Sequence, residues 1–410
     1  MRLSRPAWYT GNIPWLLAGR AARSFSQAVL VIAVPLYVSA AGYSTLRVGY
    51  LLSLALLGST LITLFVGIFS DRYGRKPLLM AIAVLATVGT SIFALTTQFW
   101  ILAVMAAMAS VRGGGAGSGG GFGPFYPAEQ ALIAASSSDQ QRNSVFSVLS
   151  LVGVLAGALG SAVMVIPDIL QQHLHISAVD SYQPIFWVSA FSSFAVLLLV
   201  LPIREKHHPP SAPKNSGTKK LSTWKLIGRL WLTNGVNGLV IGVIGPFLTY
   251  WLAVRYGATA TAIATLYLVA NLLTAFSYLA APAIAHRLRA VPTIILTRWG
   301  TVLLMAAMAL APTFFWAFLT YTLRIMVNSI GLPIRQSFVM GIAEEQGRSK
   351  VAAFGSLPSQ GTGVVAPTIA SHLMQSVSEA APIWLATAAL AINAVLFGLL
   401  FRNIRPPEEE

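Results

Sequence analysis

Apolar stretches of about 20 residues recur from one end of the chain to the other. Each is long enough to cross a hydrocarbon layer of about 30 Å. Backbone N–H and C=O groups find no water there, so only helices and closed barrels satisfy them. The stretches are continuous rather than alternating, which selects helices. Only 10% of the 410 residues are charged, where a soluble domain carries about 25%, and this excludes an ordinary cytosolic enzyme. The sequence predicts an all-α membrane protein of twelve transmembrane helices. The expected spans are 11–40, 44–69, 77–97, 99–130, 144–168, 184–202, 225–253, 258–285, 292–311, 313–338, 350–375 and 382–401. The fourth is too long for one straight crossing.

The net charge of +15 is distributed by topology, which argues against a nucleic-acid partner. Arg47 and Arg255 fall in the odd-numbered loops. Arg20, Arg23, Arg112, Arg298, Arg324 and Arg335 lie within apolar stretches or near their ends. About 19 of the 27 Lys and Arg fall in or beside the N-terminus, the even-numbered loops and the C-terminal tail. Basic residues stay on the cytoplasmic side, so both termini are expected in the cytoplasm of a multi-pass cell-membrane protein. The basic segments attract anionic lipid. No cleavable signal peptide is expected, because the first apolar stretch is long and interrupted by Arg20 and Arg23.

Composition changes sharply after the sixth span. Residues 204–224 are polar, basic and proline-containing, as a flexible cytoplasmic linker should be. The expected domains are therefore 1–203, a six-helix bundle, and 225–410, a second bundle with a short tail. The two echo each other. Asp71-Arg72 ahead of Pro77 corresponds to His286-Arg287 ahead of Pro292, at a spacing of 215. Pro127-x-x-Gln130 corresponds to Pro333-x-x-Gln336, and Arg142 to Arg348, both at a spacing of 206. A duplicated six-helix unit places a substrate site near mid-membrane, between the repeats.

The charged decapeptide from Gly67 to Lys76 cannot sit in hydrocarbon, so a tight loop at the membrane surface is expected. Gly67 and Gly74 permit close backbone approach. Asp71 can cap a neighbouring helix, and Arg72, Arg75 and Lys76 can pair with it or with lipid phosphate. The pattern Gly67-x-x-x-Asp71-Arg72-x-Gly74-Arg75-Lys76 resembles the loop signature of the major facilitator superfamily. Arg112 with the glycines of 113–123, and Gly153-x-x-x-Gly157-x-x-Gly160, resemble that family's fourth- and fifth-helix patterns. The fifth-helix pattern lacks the Gly-Pro pair of the family's antiporters. The resemblance implies two pseudo-symmetric six-helix bundles, a monomer, and a secondary transporter similar to drug/proton antiporters. It also implies that the 67–77 loop gates the cytoplasmic side.

Arg20, Arg23 and Gln27 share one face of the first helix, at i, i+3 and i+7. An arginine near a helix centre costs about 2.5–3.5 kcal/mol, so these side chains should face the cavity or an interhelix seam, or lie shallow and snorkel. Glu129, toward the cytoplasmic end of the fourth span, is the candidate ion-pair partner of Arg20 or Arg23 and a candidate proton site. Arg112 is placed either against a substrate anion or on backbone carbonyls. Asn234, Asn237, Asn271, Arg324, Asn328 and Gln360 complete the cavity candidates, with Arg298 a further polar point. Buried amides also act simply as interhelix glue, for about 0.6 kcal/mol each. Tyr37, Tyr250, Trp251, Tyr267, Trp299 and Tyr321 belong either to the cavity or to interface belts.

No enzyme is expected. The chain has no cysteine and six scattered histidines, so no metal site or cofactor is foreseen. The glycine stretch 113–123 lacks the Gly-Lys-Ser/Thr ending of a phosphate loop. The leading functional expectation is proton-coupled efflux of small amphipathic or drug-like molecules. The alternatives are an organic-anion transporter using the buried arginines, an uncoupled facilitator, and a non-transporting scaffold or receptor on the same fold.

Overall fold

The structure, a computed structural model, describes residues 11–109, 123–136, 139–203, 223–287, 290–342 and 348–402. Among them there is no strand. The helices are α1 (Ile13–Ala40), α2 (Thr45–Tyr73), α3 (Arg75–Phe93), α4 (Phe99–Met108), α5 (Phe125–Ser136), α6 (Asp139–Val163), α7 (Ile166–Leu174), α8 (Gln183–Val200), α9 (Thr223–Gly242), α10 (Leu248–Tyr256), α11 (Ala260–Arg287), α12 (Ala290–Ala309), α13 (Phe314–Ile342), α14 (Arg348–Ser376) and α15 (Ala381–Phe401). Each expected span is occupied by helix, the fourth from both of its ends. Among the described residues, nine helices are long and apolar enough to cross a membrane. Large apolar side chains such as Leu61, Phe191, Phe276, Leu303 and Leu399 are exposed on them, as lipid contact requires.

The chain divides into two compact units. Unit 1 holds Met1–Glu205 and Thr249–Leu272, and unit 2 holds Lys206–Leu248 and Leu273–Glu410. In unit 1, α1 packs on α6 and α8, α3 on α8, and α2 on α4. Tyr37 closes one end of this body. Its hydroxyl donates to the Thr96 carbonyl at 2.9 Å, and its ring meets Phe186 edge-on at 5.0 Å. The segment 249–272 is tied to the same unit. Tyr250 and Thr45 share a hydroxyl hydrogen bond of 2.6 Å, and Asp168 accepts from the Thr261 backbone N–H at 2.9 Å. In unit 2, α9 packs on α14 and α15, and α12 on α13 and α15.

Small residues allow the tightest crossings. A Cβ on Gly160 would collide with the Phe25 backbone, and one on Gly238 with the Ser359 carbonyl and the Thr362 side chain. Gly160 belongs to the glycine pattern singled out in the sequence, and its role here is the close approach of α6 to α1.

Three local features differ from the sequence-based expectation. The 67–77 stretch is not a loop throughout. Helix α2 runs on to Tyr73, and only Gly74, at φ +87°, makes the turn before α3. Phe65, Phe69 and Tyr73 explain the extension, because they stack along one face at i, i+4 with ring centroids 4.6 and 5.9 Å apart. The seventh span is interrupted by a wider, five-residue π segment, Val243–Phe247, in which Gly245 leaves helical geometry at ψ −106°. Pro246 has no N–H to offer the preceding turn, so the regular ladder cannot continue there. The fifth span ends at Val163, and a separate short helix, α7, starts with Pro167 in its first turn and stops at His175 in the left-handed region.

Candidate functional site

In unit 1, α1 and α5 bring three charges together. Arg20 Nη1 donates to Glu129 Oε2 at 2.8 Å. Arg23 Nη2 donates to both carboxylate oxygens, at 2.9 Å to Oε1 and 2.8 Å to Oε2. Arg20 is 2% exposed and Glu129 1%, so that pair is as dry as the apolar core around it, while Arg23 is half-buried. That core contains Leu16, Leu17, Leu79, Leu132, Val196 and Val200. Phe125, one turn before Glu129, lies under the Arg23 guanidinium at 4.7 Å. A small pocket lined by Trp15, Gly19, Leu79, Val196 and Ile203 opens beside Arg23 and Glu129.

The spacing argument made from sequence explains why this cluster forms. Residues 20 and 23 are three apart, so both guanidiniums reach the same side of α1. Glu129 lies seven residues before Ser136, the end of α5. At 1.5 Å per residue that is about 10 Å inside the helix end. A carboxylate at that depth must be paired.

The other candidates fall into distinct places. Gly67, Asp71 and Arg72 lie within the last turns of α2, but their side chains are outside the described residues, as is all of 110–122 with Arg112. Lys76 Nζ donates to the Leu201 carbonyl at 2.6 Å, at the end of α8. Arg75 begins α3. Gln27 is half-buried one turn beyond Arg23. Asn271 is buried, with its amide 3.6 Å from where a Cβ on Gly157 would stand.

In unit 2, Asn234 Nδ2 donates to the Gly355 carbonyl at 2.6 Å, and its Oδ1 accepts from Arg335. Asn237 and Asn328 are half-buried on α9 and α13. Arg324 is buried over the Tyr321 ring at 5.1 Å. Gln360 Nε2 donates to the Ser356 hydroxyl at 3.4 Å, while its Oε1 is buried without a partner. Of the aromatics, Tyr37, Trp251, Tyr267 and Tyr321 are core residues, whereas Trp299 is exposed.

Sequence reasoning did not place Arg335 among the site residues, yet the signal was present. The 206-residue spacing that matches Pro127 with Pro333 also matches Glu129 with Arg335.

Nine apolar helices of spanning length among the described residues, with an ion-pair cluster buried inside one unit, define a polytopic α-helical membrane protein. The chain belongs to the major facilitator superfamily: the model of the Major Facilitator Superfamily matches residues 16–231, more than half its length. Among curated proteins it is 27% identical over 201 residues to the multidrug resistance protein MdtL of Escherichia coli O157:H7, covering 48% of this chain and 46% of that protein. The chain thus spans about half the length of the curated relatives it matches. Among solved structures, a bacterial homolog of the human lysosomal transporter Spinster aligns over 98% of this chain and 100% of its own, with a TM-score of 0.71 and 14% identity. The POT family transporter PepTSo aligns over 95% of this chain and 97% of its own, with a TM-score of 0.72 and 13% identity. At these identities the likeness is one of fold.

Proposed function

We propose that the chain is a secondary transporter that works by alternating access and exports small amphipathic or drug-like molecules in exchange for protons. The observation that carries this reading is family membership over residues 16–231, supported by the likeness to MdtL over half the chain. The substrate is a small molecule, no cofactor takes part, and the working form is a monomer in the cell membrane. The basic linker and the scarcity of basic residues in odd-numbered loops support an orientation with both termini in the cytoplasm.

Glu129 is the residue through which a proton acts. Protonating it removes the charge with which both Arg20 and Arg23 are paired, so proton binding and the packing of α1 on α5 are coupled at one carboxylate. The helix end at Gly74, with Arg75 and Lys76, serves as a cytoplasmic gate.

Flux into and out of proteoliposomes, with and without a pH gradient, tests the reading across cationic, neutral and anionic compounds. Efflux of amphipathic compounds that accelerates with an opposing proton gradient is expected. Glu129→Gln, judged at matched protein levels in the bilayer, should flatten that pH dependence. A flux indifferent to the gradient removes the proton from the mechanism. Uptake restricted to anions overturns the export reading altogether.

A further inference from the structure

Arg298 lies eight residues after Ala290, the start of α12, and Arg335 seven residues before Ile342, the end of α13. Their helices cross closely between them. Gly331, one turn before Arg335, is so near Thr297, the neighbour of Arg298, that a Cβ there would collide with the Thr297 hydroxyl. The Arg298 guanidinium sits 4.7 Å from the Phe397 ring centre. Phe338, three residues after Arg335, lies 6.2 Å from the same ring. The close helix crossing and the shared Phe397 ring thus bring the two arginines to one seam.

Neither charge is balanced among the described residues. Arg335 donates to Asn234, a neutral amide whose nitrogen is held by the Gly355 carbonyl. The Arg335 Nε and the Arg298 Nη1 are shielded from solvent and have no acceptor. Between Thr223 and Arg402 the sequence has only three acids, Glu344, Glu345 and Glu379, and none falls in a described helix. Both side chains are half-buried, and two like charges largely withdrawn from water are costly unless something negative joins them.

We propose that Arg298 and Arg335 form an oxyanion site within unit 2, taking the carboxylate or phosphate group of a small soluble anion or of a lipid headgroup. Each guanidinium is a planar fork of donors that matches such groups two bonds at a time. The Phe397 ring steadies Arg298 without using any of its N–H donors. Asn234, tied at both ends of its amide, orients Arg335 and leaves that Nε free. The site concerns binding rather than flux, so it stands or falls separately from the export reading.

Thermal unfolding of the full-length protein in lipid-free detergent tests it, with inorganic phosphate and benzoate as probes. Phosphatidylcholine nanodiscs with and without phosphatidylglycerol form a second arm. A concentration-dependent rise in Tm is expected, because the anion binds only the folded protein. Arg298→Met and Arg335→Met should each abolish the rise while unfolding no earlier than the parent without ligand, since each removes an uncompensated charge. Arg298→Lys keeps the charge but loses the fork, and should weaken apparent affinity by about tenfold or more. A rise with soluble anions alone assigns the site to a small anion, and a rise with phosphatidylglycerol alone to a lipid headgroup. No rise in either arm, or a rise of the same size in the two Met variants, overturns the proposal. So does a lower Tm in those variants reproduced by Glu344→Gln with Glu345→Gln, since an acid of the chain itself would then already balance the pair.

Discussion

Glu129 in unit 1 and Arg335 in unit 2 stand 206 residues apart, and each lies seven residues before the end of its helix, at Ser136 and Ile342. The acid meets two arginines from α1. The arginine meets a neutral asparagine from α9, and α12, which carries a second arginine, crosses its helix closely. The 215-residue spacing that matches Pro77 with Pro292 matches Arg298 with Ala83, a buried residue of the apolar core around the unit 1 cluster. Among the described residues, the cluster in unit 1 therefore holds two positive charges and one negative, and the cluster in unit 2 two positive charges with no acid beside them. Duplication has preserved where a polar group is placed along the helix, but not the sign of that group. Position follows from helix packing, whereas sign depends only on what each seam has to hold.

The largest expected effect breaks the comparison directly. Glu129→Ala strands Arg20 in a dry core and leaves the half-buried Arg23 without its acid, and removing one partner of a buried pair costs about 3–5 kcal/mol. Arg335→Met removes a charge that no acid balances among the described residues, and should leave stability unchanged or higher. Thermal unfolding in detergent measures both. Equal losses at the two positions would mean that the seams are electrostatically alike.

Next in size are the glycine crossings, which ask whether the two units are packed to the same tolerance. Gly160→Ala drives a methyl group into the Phe25 backbone, and Gly238→Ala drives one into the Ser359 carbonyl. Backbone cannot turn aside as a side chain can, so each should cost about 1–3 kcal/mol by overpacking. Gly361, on the same helix as Ser359, has nothing within 4 Å of its Cβ position. Gly361→Ala should instead stabilise by up to about 1 kcal/mol through helix propensity. A loss at Gly361 as large as at Gly238 would show that the helix, rather than the crossing, is what responds.

The helices were legible because a membrane leaves so little choice. Continuous apolar stretches of the right length can only be helices, and their observed ends fall within a few residues of expectation for most spans. The Arg20–Arg23–Glu129 cluster was legible from the three-residue spacing and the price of burying a charge. Other features depend on contacts that sequence spacing does not encode. The continuation of α2 to Tyr73 follows from a ladder of aromatic rings, and the surface charges beside it pointed to a loop. The π segment was marked by Gly245-Pro246, but the apolar stretch around it hid the break. Arg335 went unplaced because a lone arginine near a helix end reads as one that reaches water. Its hydrogen bond to Asn234 of α9 and the close crossing of α12, which carries Arg298, show what surrounds it.

The smallest effect concerns the segment 249–272, which follows the linker in sequence yet belongs to unit 1. Its polar ties there include the Tyr250–Thr45 hydroxyl pair and the Asp168 acceptor for the Thr261 N–H. Tyr250→Phe and Thr45→Val should each cost about 0.5–1.5 kcal/mol, the net worth of one hydrogen bond. The double variant should cost less than the two losses added together, because both remove the same bond. Full additivity would show that the two hydroxyls act independently. The attachment of the segment to unit 1 would then rest on the Asp168–Thr261 bond and on apolar packing around Trp251 and Tyr267, both fully buried. Asp168→Asn is the variant that separates these two. An amide oxygen still accepts from the Thr261 N–H, so a loss well below that of Tyr250→Phe would mark the tie as a hydrogen bond rather than an interaction with the positive end of α11.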